Sequence, residues 1–499
     1  MSPKTYHFHS RLKYLGQMPI ANTYKGPPAK QKKQARIAFS VSQASENIGF
    51  LHACLLNIKG DYFLLAGKSG IGKTTLANGL CQKPDKDICA NDWVAIEKDG
   101  KNFYGSDLNF ATSLKHVKRC LIKGIIFLQK TDAHQRDAYT PNETELKQLL
   151  RQDVFDGTTS AQAEKLSQFW VDNSAAFSVM GCVPVGKVTV DQSLDIISDI
   201  VGRAKLLTPP VKLNVGIIGI GSIGSLLAYR LGKHPSVGKI CLYDHKVEKA
   251  HGIALDLNHS SAITDPAKYA AGQRIKDVFS KSNVVFVCFR DSTPPPNVRA
   301  AERMNKLLSH LETVRLLAQT AAELRFRGTI FIITNPVDLL SYSFYAAGQS
   351  KQFGLKTYQV YGVGLELDIA RVLFYSNRFH YGLSPDNITL YGEHTEKLSI
   401  DIRPELLSTA DREKLYRATI NASQEVRSYN PRTIYGPVEA ALRNFDAFAT
   451  GKATHLTLIQ DAAFVGGKTT FRGGLPATFD HPSLEETVRK NKLTIAKNT

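Results

Sequence analysis

The sequence predicts an α/β protein of two domains, in which helices alternate with the strands of parallel sheets. Strand-like and helix-like segments alternate along the whole chain, which is typical of this fold class. A length of 499 residues exceeds what one ordinary hydrophobic core holds. Two apolar, strand-like runs, DYFLLAG and KLNVGIIGIG, lead into glycine-rich loops that precede helical runs. Each loop is therefore the candidate nucleotide site of its own domain.

The connector between the two domains is LLTPPVK, residues 206–212, whose paired prolines favour an extended chain. We place the boundary there, so that the first domain spans residues 1–207. The second domain then divides into a nucleotide-binding part, residues 208–345, and a substrate-binding part, residues 346–499.

The composition is that of a soluble globular protein, with 43% hydrophobic and 22% charged residues. No apolar run reaches the roughly 18 residues that a membrane span needs, and the first residues lack the apolar core of a secretory signal. The seven cysteines are scattered singly, which favours a reducing compartment and argues against a structural zinc site. We therefore expect a cytoplasmic protein without a membrane partner.

The net charge of +18 raises the question of a nucleic-acid partner. The densest basic run is KGPPAKQKKQAR, residues 25–36, whose proline and glycine content suggests a mobile arm. The sequence carries no zinc finger and no interleaving of basic and aromatic residues. We expect anionic substrates and cofactors, rather than nucleic acid, to account for the charge.

The first loop, within AGKSGIGKTTLANGL at residues 66–80, satisfies the pattern GxxxxGK[ST]. Its glycines allow successive backbone N–H groups to face phosphates, and the following helix presents its positive end. Lys73 would neutralise the terminal phosphates, and the Thr74 hydroxyl would bind magnesium. The alternative is a glycine-rich turn with a solvated lysine. The predicted ATP-binding residues are Gly67, Gly70, Gly72, Lys73, Thr74 and Thr75.

The stretch HACLLNIKGDYFLLAGKSGIGKTTLANGLC, followed by ICANDWVAIE, resembles the HPr kinase family, which is related in fold to PEP carboxykinase. The likeness covers roughly residues 48–130. It implies an ATP-dependent kinase in which Asp92 is the base or, with Thr74, a magnesium ligand. Asn91 occupies the position of the family's first acid. The alternative for Asp92 is a turn residue at a strand end, and the phosphoryl acceptor stays unidentified.

The second loop, GIGSIG, satisfies the pattern GxGxxG between a strand-like run and the helical run SLLAYRL. Asp244 ends the next strand-like run, KICLYD. An acid there accepts hydrogen bonds from a ribose 2′-hydroxyl and repels a 2′-phosphate, so it favours NAD over NADP. The alternative is a structural α/β crossover. The predicted NAD-binding residues are Gly219, Gly221, Ser222, Ile223, Gly224 and Asp244.

The order of YDHKVEKAHGIALDLNH, ITNPVDLL, LELDIAR and GEH resembles that in lactate and malate dehydrogenases. The likeness extends from about residue 212 to residue 480. It implies a Rossmann NAD-binding domain with an α+β substrate-binding half, a small 2-hydroxy or 2-oxo acid as substrate, and a homodimer or homotetramer.

Oxidation of a 2-hydroxy acid needs a base, a partner that orients the base, and a cation for the carboxylate. His394 in YGEHTEKL would be the base, and Asp368 in LDIAR would orient it. Arg371, three residues on and on a similar helix face, would bind the carboxylate with two hydrogen bonds. The alternative is an ordinary histidine beside an intrahelical salt bridge.

The resemblance implies further substrate contacts. Asn335 matches the asparagine beside the nicotinamide and the substrate hydroxyl, and Arg303 matches the arginine of the mobile loop; Thr433 matches a pocket position more loosely. The loop, CFRDSTPPPNVRAAER, departs from the family by its three prolines and by Arg299, a second cation. We expect Arg299 to meet a second anionic group on the substrate.

The sequence therefore favours a bifunctional enzyme, an ATP-dependent kinase-like domain fused to an NAD-dependent 2-hydroxy acid dehydrogenase. The alternative is a regulatory protein that senses ATP or phosphorylates a protein and only binds NAD. Asn91 and the proline-rich loop favour the alternative, whereas the set of His394, Asp368 and Arg371 favours the enzyme.

Overall fold

The fold is known from a computed structural model, which describes residues 37–478 with internal gaps. The gaps are residues 39, 43, 59, 82–86, 92, 108–119, 131–137, 142, 156–157, 178, 186–187, 207–211, 264–267, 291–299, 350–353, 396 and 461–462. The basic run at residues 25–36 and the predicted boundary between residues 207 and 208 lie outside the described residues, so both remain predictions.

The described chain forms two compact units. Within the described residues, the first unit comprises the chain up to residue 130, residues 143–185 and residues 189–194. The second unit comprises the remaining described segments and everything from Asp195 onward. The predicted α/β class is confirmed, and none of the described helices is both long and apolar enough to cross a membrane.

The first unit is built on an eight-stranded sheet with the order β1-β5-β6-β7-β3-β2-β4, and β8 pairs with β7. The strands are β1 (Ile48–Leu51), β2 (Ala53–Ile58), β3 (Asp61–Gly67), β4 (Ile88–Asn91), β5 (Val94–Asp99), β6 (Asn102–Asp107), β7 (Cys120–Lys130) and β8 (Val179–Val185). The described helices are α1 (Lys73–Leu80), α2 (Glu143–Leu149), which continues as a π-helical turn (Leu150–Val154), and α3 (Ser160–Asn173); α4 (Val190–Leu206) begins in this unit.

The sheet of the first unit is mixed rather than parallel. Only β3, β7 and β8 pair in parallel, and the other described pairs are antiparallel. Tight turns at Gly60 (φ 94°) and Gly100 (φ 60°) join β2 to β3 and β5 to β6 as hairpins. Glycine adopts these left-handed conformations without strain, so the short turns make the joined strands antiparallel neighbours.

The second unit contains a nine-stranded sheet with the order β11-β10-β9-β12-β13-β14-β17-β18-β19, and β15 and β16 form a separate hairpin. The strands are β9 (Leu213–Ile218), β10 (Val237–Tyr243), β11 (Tyr269–Ala271), β12 (Val284–Val287), β13 (Thr329–Ile332), β14 (Val360–Gly362), β15 (Ile388–Gly392), β16 (Leu398–Ile402), β17 (Thr454–Gln460), β18 (Ala463–Arg472) and β19 (Leu475–Thr478). The further helices are α5 (Ser222–Gly232), α6 (Val247–Ser261), α7 (Ile275–Lys281), α8 (Ala300–Glu323), α9 (Val337–Ala347), α10 (Leu365–Arg378), α11 (Thr409–Tyr429) and α12 (Tyr435–Thr450).

Strands β9 to β14 are parallel, and they place three loops at one edge of the sheet. Val287, the last residue of β12, pairs with Ile218 at the end of β9 and with Ile332 at the end of β13. The three strands are almost wholly buried, as expected for a parallel sheet covered on both faces. Because they end level, the loops that follow them meet at the edge where ligands bind in such folds.

The second half of α4 is part of the second unit, and a buried arginine of this half-helix bonds it to the rest of the unit. The Arg203 guanidinium donates to Asp199 Oδ2 (3.1 Å), to Thr329 Oγ1 (2.9 Å) and to the carbonyl oxygens of Arg327 and Gly328 (2.7 and 2.9 Å). Burial lowers the pKa of Arg203, but the charge and hydrogen bond of Asp199, together with Tyr358 and Tyr361, outweigh it, so the net pKa is raised and the side chain stays charged. These contacts fasten the helix to the start of β13.

Arg203→Ala is expected to destabilise the second unit by about 3–5 kcal/mol, because it leaves the Asp199 carboxylate buried without its cation. Arg327→Ala, which removes a half-exposed ion pair with Asp195, is the control and should cost less than about 1 kcal/mol. The measurement is urea unfolding followed by circular dichroism. Both tryptophans, Trp93 and Trp170, lie in the first unit, so their fluorescence reports that unit alone. Equal, small losses for both variants would contradict the role of Arg203.

Candidate active site

The glycine loop of the second unit follows β9 and is shaped by close packing. Gly219 has a left-handed φ of 95°, and a Cβ there would lie 2.4 Å from the backbone of Phe289. A Cβ on Gly224 would lie 2.1 Å from the Gly219 carbonyl oxygen. In contrast, a Cβ on Gly221 would have no neighbour within 4 Å among the described residues. The first and third glycines therefore let the chain pack, whereas the second leaves space in which a ligand can approach.

The thiol of Cys288 stabilises this loop through a hydrogen bond. Cys288 Sγ donates to the Gly219 carbonyl oxygen at 3.2 Å. Burial raises the pKa of the Cys288 thiol to about 12, and the Asp244 charge adds to this effect. The group therefore stays protonated and acts as a hydrogen-bond donor.

Asp244 follows β10 and contacts the same loop. Its carboxylate accepts hydrogen bonds from the backbone N–H groups of Ile220 (2.9 Å) and Lys246 (3.2 Å). Lys249 Nζ and His245 Nδ1 lie 3.4 and 3.0 Å from its oxygens. Burial raises the pKa of Asp244, but the two hydrogen bonds and the nearby charges outweigh it, so the net pKa is lowered. These four groups fill the two lone pairs of each carboxylate oxygen, but the side chains of His245 and Lys249 are 82% and 43% exposed, so a ligand hydroxyl can replace one of them.

The predicted base and its orienting acid are in contact. His394 Nδ1 lies 2.6 Å from Asp368 Oδ2, and Arg371 Nη1 donates to Asp368 Oδ1 at 3.0 Å. Asp368 and Arg371 lie one turn apart on α10, whereas His394 comes from the loop after β15. The side chains of His394, Asp368 and Arg371 are 13%, 5% and 15% exposed. The structure thus brings these three residues together in a largely desolvated cluster.

The cluster favours the charged form of His394. Burial lowers the pKa of the imidazole, but the charge and the hydrogen bond of Asp368 raise it more, so the net pKa lies above its usual value. Because Nδ1 is bonded to the carboxylate of Asp368, Nε2 is the nitrogen through which the ring exchanges a proton.

Sequence reasoning missed residues that fix the position of His394. Asp338 on α9 is buried, accepts a hydrogen bond from the His394 backbone N–H at 2.7 Å, and accepts another from the Thr457 hydroxyl. Burial raises the pKa of Asp338, although both hydrogen bonds and the His394 charge oppose this. Gly364 lies so close that a Cβ there would be 2.7 Å from His394 Cβ. Asp338 could have been found from its position in the motif TNPVDLL. No sequence pattern indicates Thr457, because it lies 119 residues from Asp338 along the chain.

Asn335 lies in the loop after β13, at the edge where the parallel strands end. Its backbone carbonyl oxygen lies 3.1 Å from Nδ1 of His310, a buried residue of α8 that sequence reasoning also missed. Thr433 is half-buried in the turn before α12. Arg303 falls within α8, but its side chain lies outside the described part of the structure, and Arg299 lies outside the described residues altogether.

The first unit holds its own glycine loop between β3 and α1. Gly67, Gly70 and Gly72 have φ angles of 156°, 80° and 101°, conformations that favour glycine. Lys73 Nζ donates to the carbonyl oxygens of Gly67 (2.8 Å) and Lys68 (3.1 Å), so the side chain folds over the loop.

The neighbours of this loop follow from the strand register. Ala53 pairs with Ala66 of β3, and Cys54 pairs with Asn91 of β4, so β4 ends at the sheet edge that carries the loop. Thr74 and Thr75 are exposed in the first turn of α1. Asp92, the predicted base or magnesium ligand, lies outside the described residues.

Comparison with known proteins identifies part of the second unit. Residues 213–354 match the family model for the lactate/malate dehydrogenase NAD-binding domain. This segment, with β9 to β13 and the second glycine loop, is therefore a lactate/malate dehydrogenase domain. The predicted resemblance of this segment to lactate and malate dehydrogenases is confirmed, and its match to an NAD-binding domain supports the predicted cofactor, whereas the individual NAD-binding residues stay a prediction.

Individual proteins are similar to part of the chain. The chain is 25% identical over 294 residues to an L-lactate dehydrogenase of Geobacillus thermodenitrificans, which covers 55% of this chain and 88% of that one. It is 24% identical over 264 residues to a probable L-lactate dehydrogenase of Schizosaccharomyces pombe, covering 49% of this chain and 76% of that one. The solved structure of a malate dehydrogenase from Archaeoglobus fulgidus, in complex with NADH, is 20% identical with a TM-score of 0.49, covering 57% and 99% of the two chains.

Asp368→Asn is expected to destabilise the protein more at about pH 6 than at about pH 9. The pKa of His394 is higher in the folded protein than its value of about 6.5 in the unfolded chain. The free energy of unfolding therefore contains a contribution that is fully present below about pH 6.5 and is lost as the pH rises through the folded-state pKa. Removing the Asp368 charge removes this contribution. Urea unfolding at both pH values measures it, with Asp401→Asn, an exposed carboxylate bonded to Tyr391, as the control. A loss that does not vary with pH would refute the coupling.

Proposed function

We propose that this chain is an NAD-dependent 2-hydroxy acid dehydrogenase. The observation that carries the proposal is the contact of His394 with Asp368, and of Asp368 with Arg371, in a chain that contains a lactate/malate dehydrogenase NAD-binding domain. This set provides the base, the orienting acid and the carboxylate-binding cation that the reaction needs. We include in the proposal a homo-oligomeric, cytoplasmic enzyme. We keep the sequence boundaries at residues 207/208 and 345/346, although the compact second unit already includes residues 195–206.

The second glycine loop fits the cofactor. The open space at Gly221 lets the diphosphate approach the backbone N–H groups of Ser222 and Ile223 at the positive end of α5. The ionised Asp244 is a hydrogen-bond acceptor for the ribose, and Asn335 would lie beside the nicotinamide. NAD, when bound there, supplies the hydride acceptor or donor.

His394 would move the proton that accompanies the hydride. In the oxidative direction Nε2 takes the proton from the substrate hydroxyl, and the positive charge that forms on the ring is stabilised by Asp368. In the reductive direction the same atom returns the proton to the carbonyl oxygen. The raised pKa of His394 favours the protonated ring, which suits reduction of a 2-oxo acid.

Arg371 would bind the substrate carboxylate. Its Nη1 is bonded to Asp368, so Nε and Nη2 form the fork for the two carboxylate oxygens. Arg303 and Arg299 would close over the substrate from the loop before α8, and Thr433 would line the pocket. Arg299 would favour a substrate with a second anionic group over pyruvate or lactate.

His394→Ala is expected to lower NADH oxidation with 2-oxo acids by about 10²–10⁴-fold, because it removes the proton donor. The measurement is absorbance of NADH against pyruvate, oxaloacetate, and longer and phosphorylated 2-oxo acids. NADH binding, followed by its fluorescence, should be unchanged. His259→Ala, an exposed histidine in the last turn of α6, is the matched control.

Two outcomes of this assay decide between enzyme and sensor. Turnover in the wild type that disappears in His394→Ala supports the dehydrogenase. NADH binding without turnover of any 2-oxo acid would reject it and favour the regulatory alternative, in which the fold only binds NAD.

For the first unit we propose ATP binding with Mg²⁺ and kinase activity toward an unidentified acceptor. The positive φ angles of Gly67, Gly70 and Gly72 and the position of Lys73 Nζ over the loop support this proposal. Bound phosphates would replace the two loop carbonyl oxygens as partners of Lys73, while Thr74 and Asp92 would hold the magnesium.

Lys73→Ala is expected to weaken binding of Mg-ATP by about 10- to 100-fold, because a charged hydrogen-bond donor to the phosphates is lost. Isothermal titration calorimetry measures the change. Lys68→Ala, an exposed lysine of the same loop, is the control for net charge. NADH turnover should be equal in both variants, and equal ATP affinity in both would reject the site.

A further inference from the structure

A cavity lies at the edge of the second unit's sheet that is opposite the candidate active site. Its walls are the second half of α4, the turn between α8 and β13, and the segment that precedes β14. Because β13 and β14 run parallel, these walls stand at the amino ends of the strands, whereas the glycine loop and Asn335 follow carboxyl ends. The charged side chains that line the cavity are those of Asp195, Asp199, Arg325, Arg327 and Lys356.

The cavity carries more positive than negative charge. Asp199 is neutralised by the buried Arg203, whose Nε lies 3.1 Å from Asp199 Oδ2. Among the described lining residues, Asp195 is then the one acid left to balance three cations. Three positive charges less one negative charge leave an excess of two positive charges at the cavity.

Lys356 is held in the cavity wall by a single weak contact. Its side chain is 18% exposed, so most of it is removed from water. Among the described residues its acidic partner is Asp195, whose Oδ2 lies 3.7 Å from Nζ, beyond hydrogen-bond distance. The other oxygen of Asp195 already bonds to Arg327 at 2.6 Å. An ammonium group has three donors, and leaving them unbonded in a largely buried position costs free energy. Lys356 can therefore donate to the oxygens of a ligand.

Arg325 occupies a backbone position at which glycine is usual. The end of α8 is closed by two bonds, from Arg325 N–H to the Ala322 carbonyl oxygen and from Phe326 N–H to the Ala321 carbonyl oxygen, both of 2.9 Å. In this arrangement the residue after the helix is left-handed, and Arg325 has a φ of 50°. Glycine adopts this conformation without strain, whereas arginine does not. A strained position that keeps a long cationic side chain in a cavity wall indicates a use for that side chain.

The size and charge of the cavity suit a small dianion. Its volume is about 30 Å³, and it opens to solvent. Since a water molecule needs roughly 10–15 Å³ of such volume, the cavity holds about two waters. A phosphate or carboxylate group can replace these waters and direct its remaining oxygens to solvent. Guanidinium groups form two parallel hydrogen bonds with such oxygens, and an ammonium group adds a compact charge.

We propose that the cavity lined by Arg325, Arg327 and Lys356 is a binding site for a small dianion, either a phosphate group or a short dicarboxylate. The ligand would bond to Lys356 and Arg325, while Arg327 stays paired with Asp195. The inference goes beyond the proposed function and does not rest on it, because these residues belong neither to the glycine loop nor to the His394 cluster.

The test is isothermal titration calorimetry of the full chain at constant ionic strength, with inorganic phosphate in one arm and succinate in the other. Lys356→Ala and Arg325→Gly are each expected to raise the Kd of the anion about tenfold, because each removes a charged donor. The anion that binds the wild type and loses affinity in both variants identifies the class of ligand. Phosphate bound at the first glycine loop is the same in all variants and therefore cancels in the comparison.

Arg325→Gly separates binding from folding. Because glycine fits a φ of 50°, the Tm of this variant without the anion should be no lower than that of the wild type, although anion binding is lost. A lower Tm with unchanged anion affinity would show that the side chain serves the fold alone, and would overturn the site.

The matched control is Lys276→Ala, which removes an exposed lysine that pairs with Glu323 at the end of α8 and does not line the cavity. It should bind the anion like the wild type. Absence of saturable binding of either anion, or equal affinity in the wild type, Lys356→Ala and Arg325→Gly, would overturn the site. NADH binding should be equal in all variants, and a wild type that does not bind NADH would overturn the proposed dehydrogenase without touching this result.

Discussion

The level ending of β9, β12 and β13 is the constraint on which the rest of the second unit depends. Val287 stands opposite both Ile218 and Ile332, so the chain leaves all three strands at the same height. The glycine loop, Arg290 and Asn335 follow these ends, and none of them would meet the others if one strand were displaced by two residues. The steric fit of Gly219 against Phe289 depends on the same register. Position along the sheet, rather than any local loop structure, brings these groups together.

The single carboxylate of Asp368 has two partners. One oxygen contacts His394 and the other contacts Arg371, so the same side chain orients the group proposed to carry the proton and the group proposed to bind the substrate carboxylate. When His394 is protonated, two cations share one anion and the cluster has a net positive charge. In the proposed enzyme, the carboxylate of a substrate would neutralise this charge, and substrate binding would then depend on the protonation state of His394.

Local signals in the sequence predicted much of this arrangement. The alternating apolar runs indicated the α/β class, the glycine spacing located both loops, and the three-residue spacing of Asp368 and Arg371 put them on one helix face. The features that the sequence did not predict are contacts between residues far apart along the chain. Thr457 reaches Asp338 across 119 residues, and the hairpins at Gly60 and Gly100 turned an expected parallel sheet into a mixed one. No spacing pattern in a single sequence records which distant strands become neighbours.

The buried Arg203 changes where the second unit begins. The paired prolines mark a break in chain direction, yet the residues from Asp195 to Leu206, before that break, belong to the unit that follows it. A gene rearrangement that joined another domain at the prolines would exchange this half-helix for a foreign one. It would leave Thr329 Oγ1 and the carbonyl oxygens of Arg327 and Gly328 without their guanidinium donor. The compact second unit therefore begins twelve residues before the prolines, and a separately expressed second unit needs residues 195–206 to keep the Arg203 contacts.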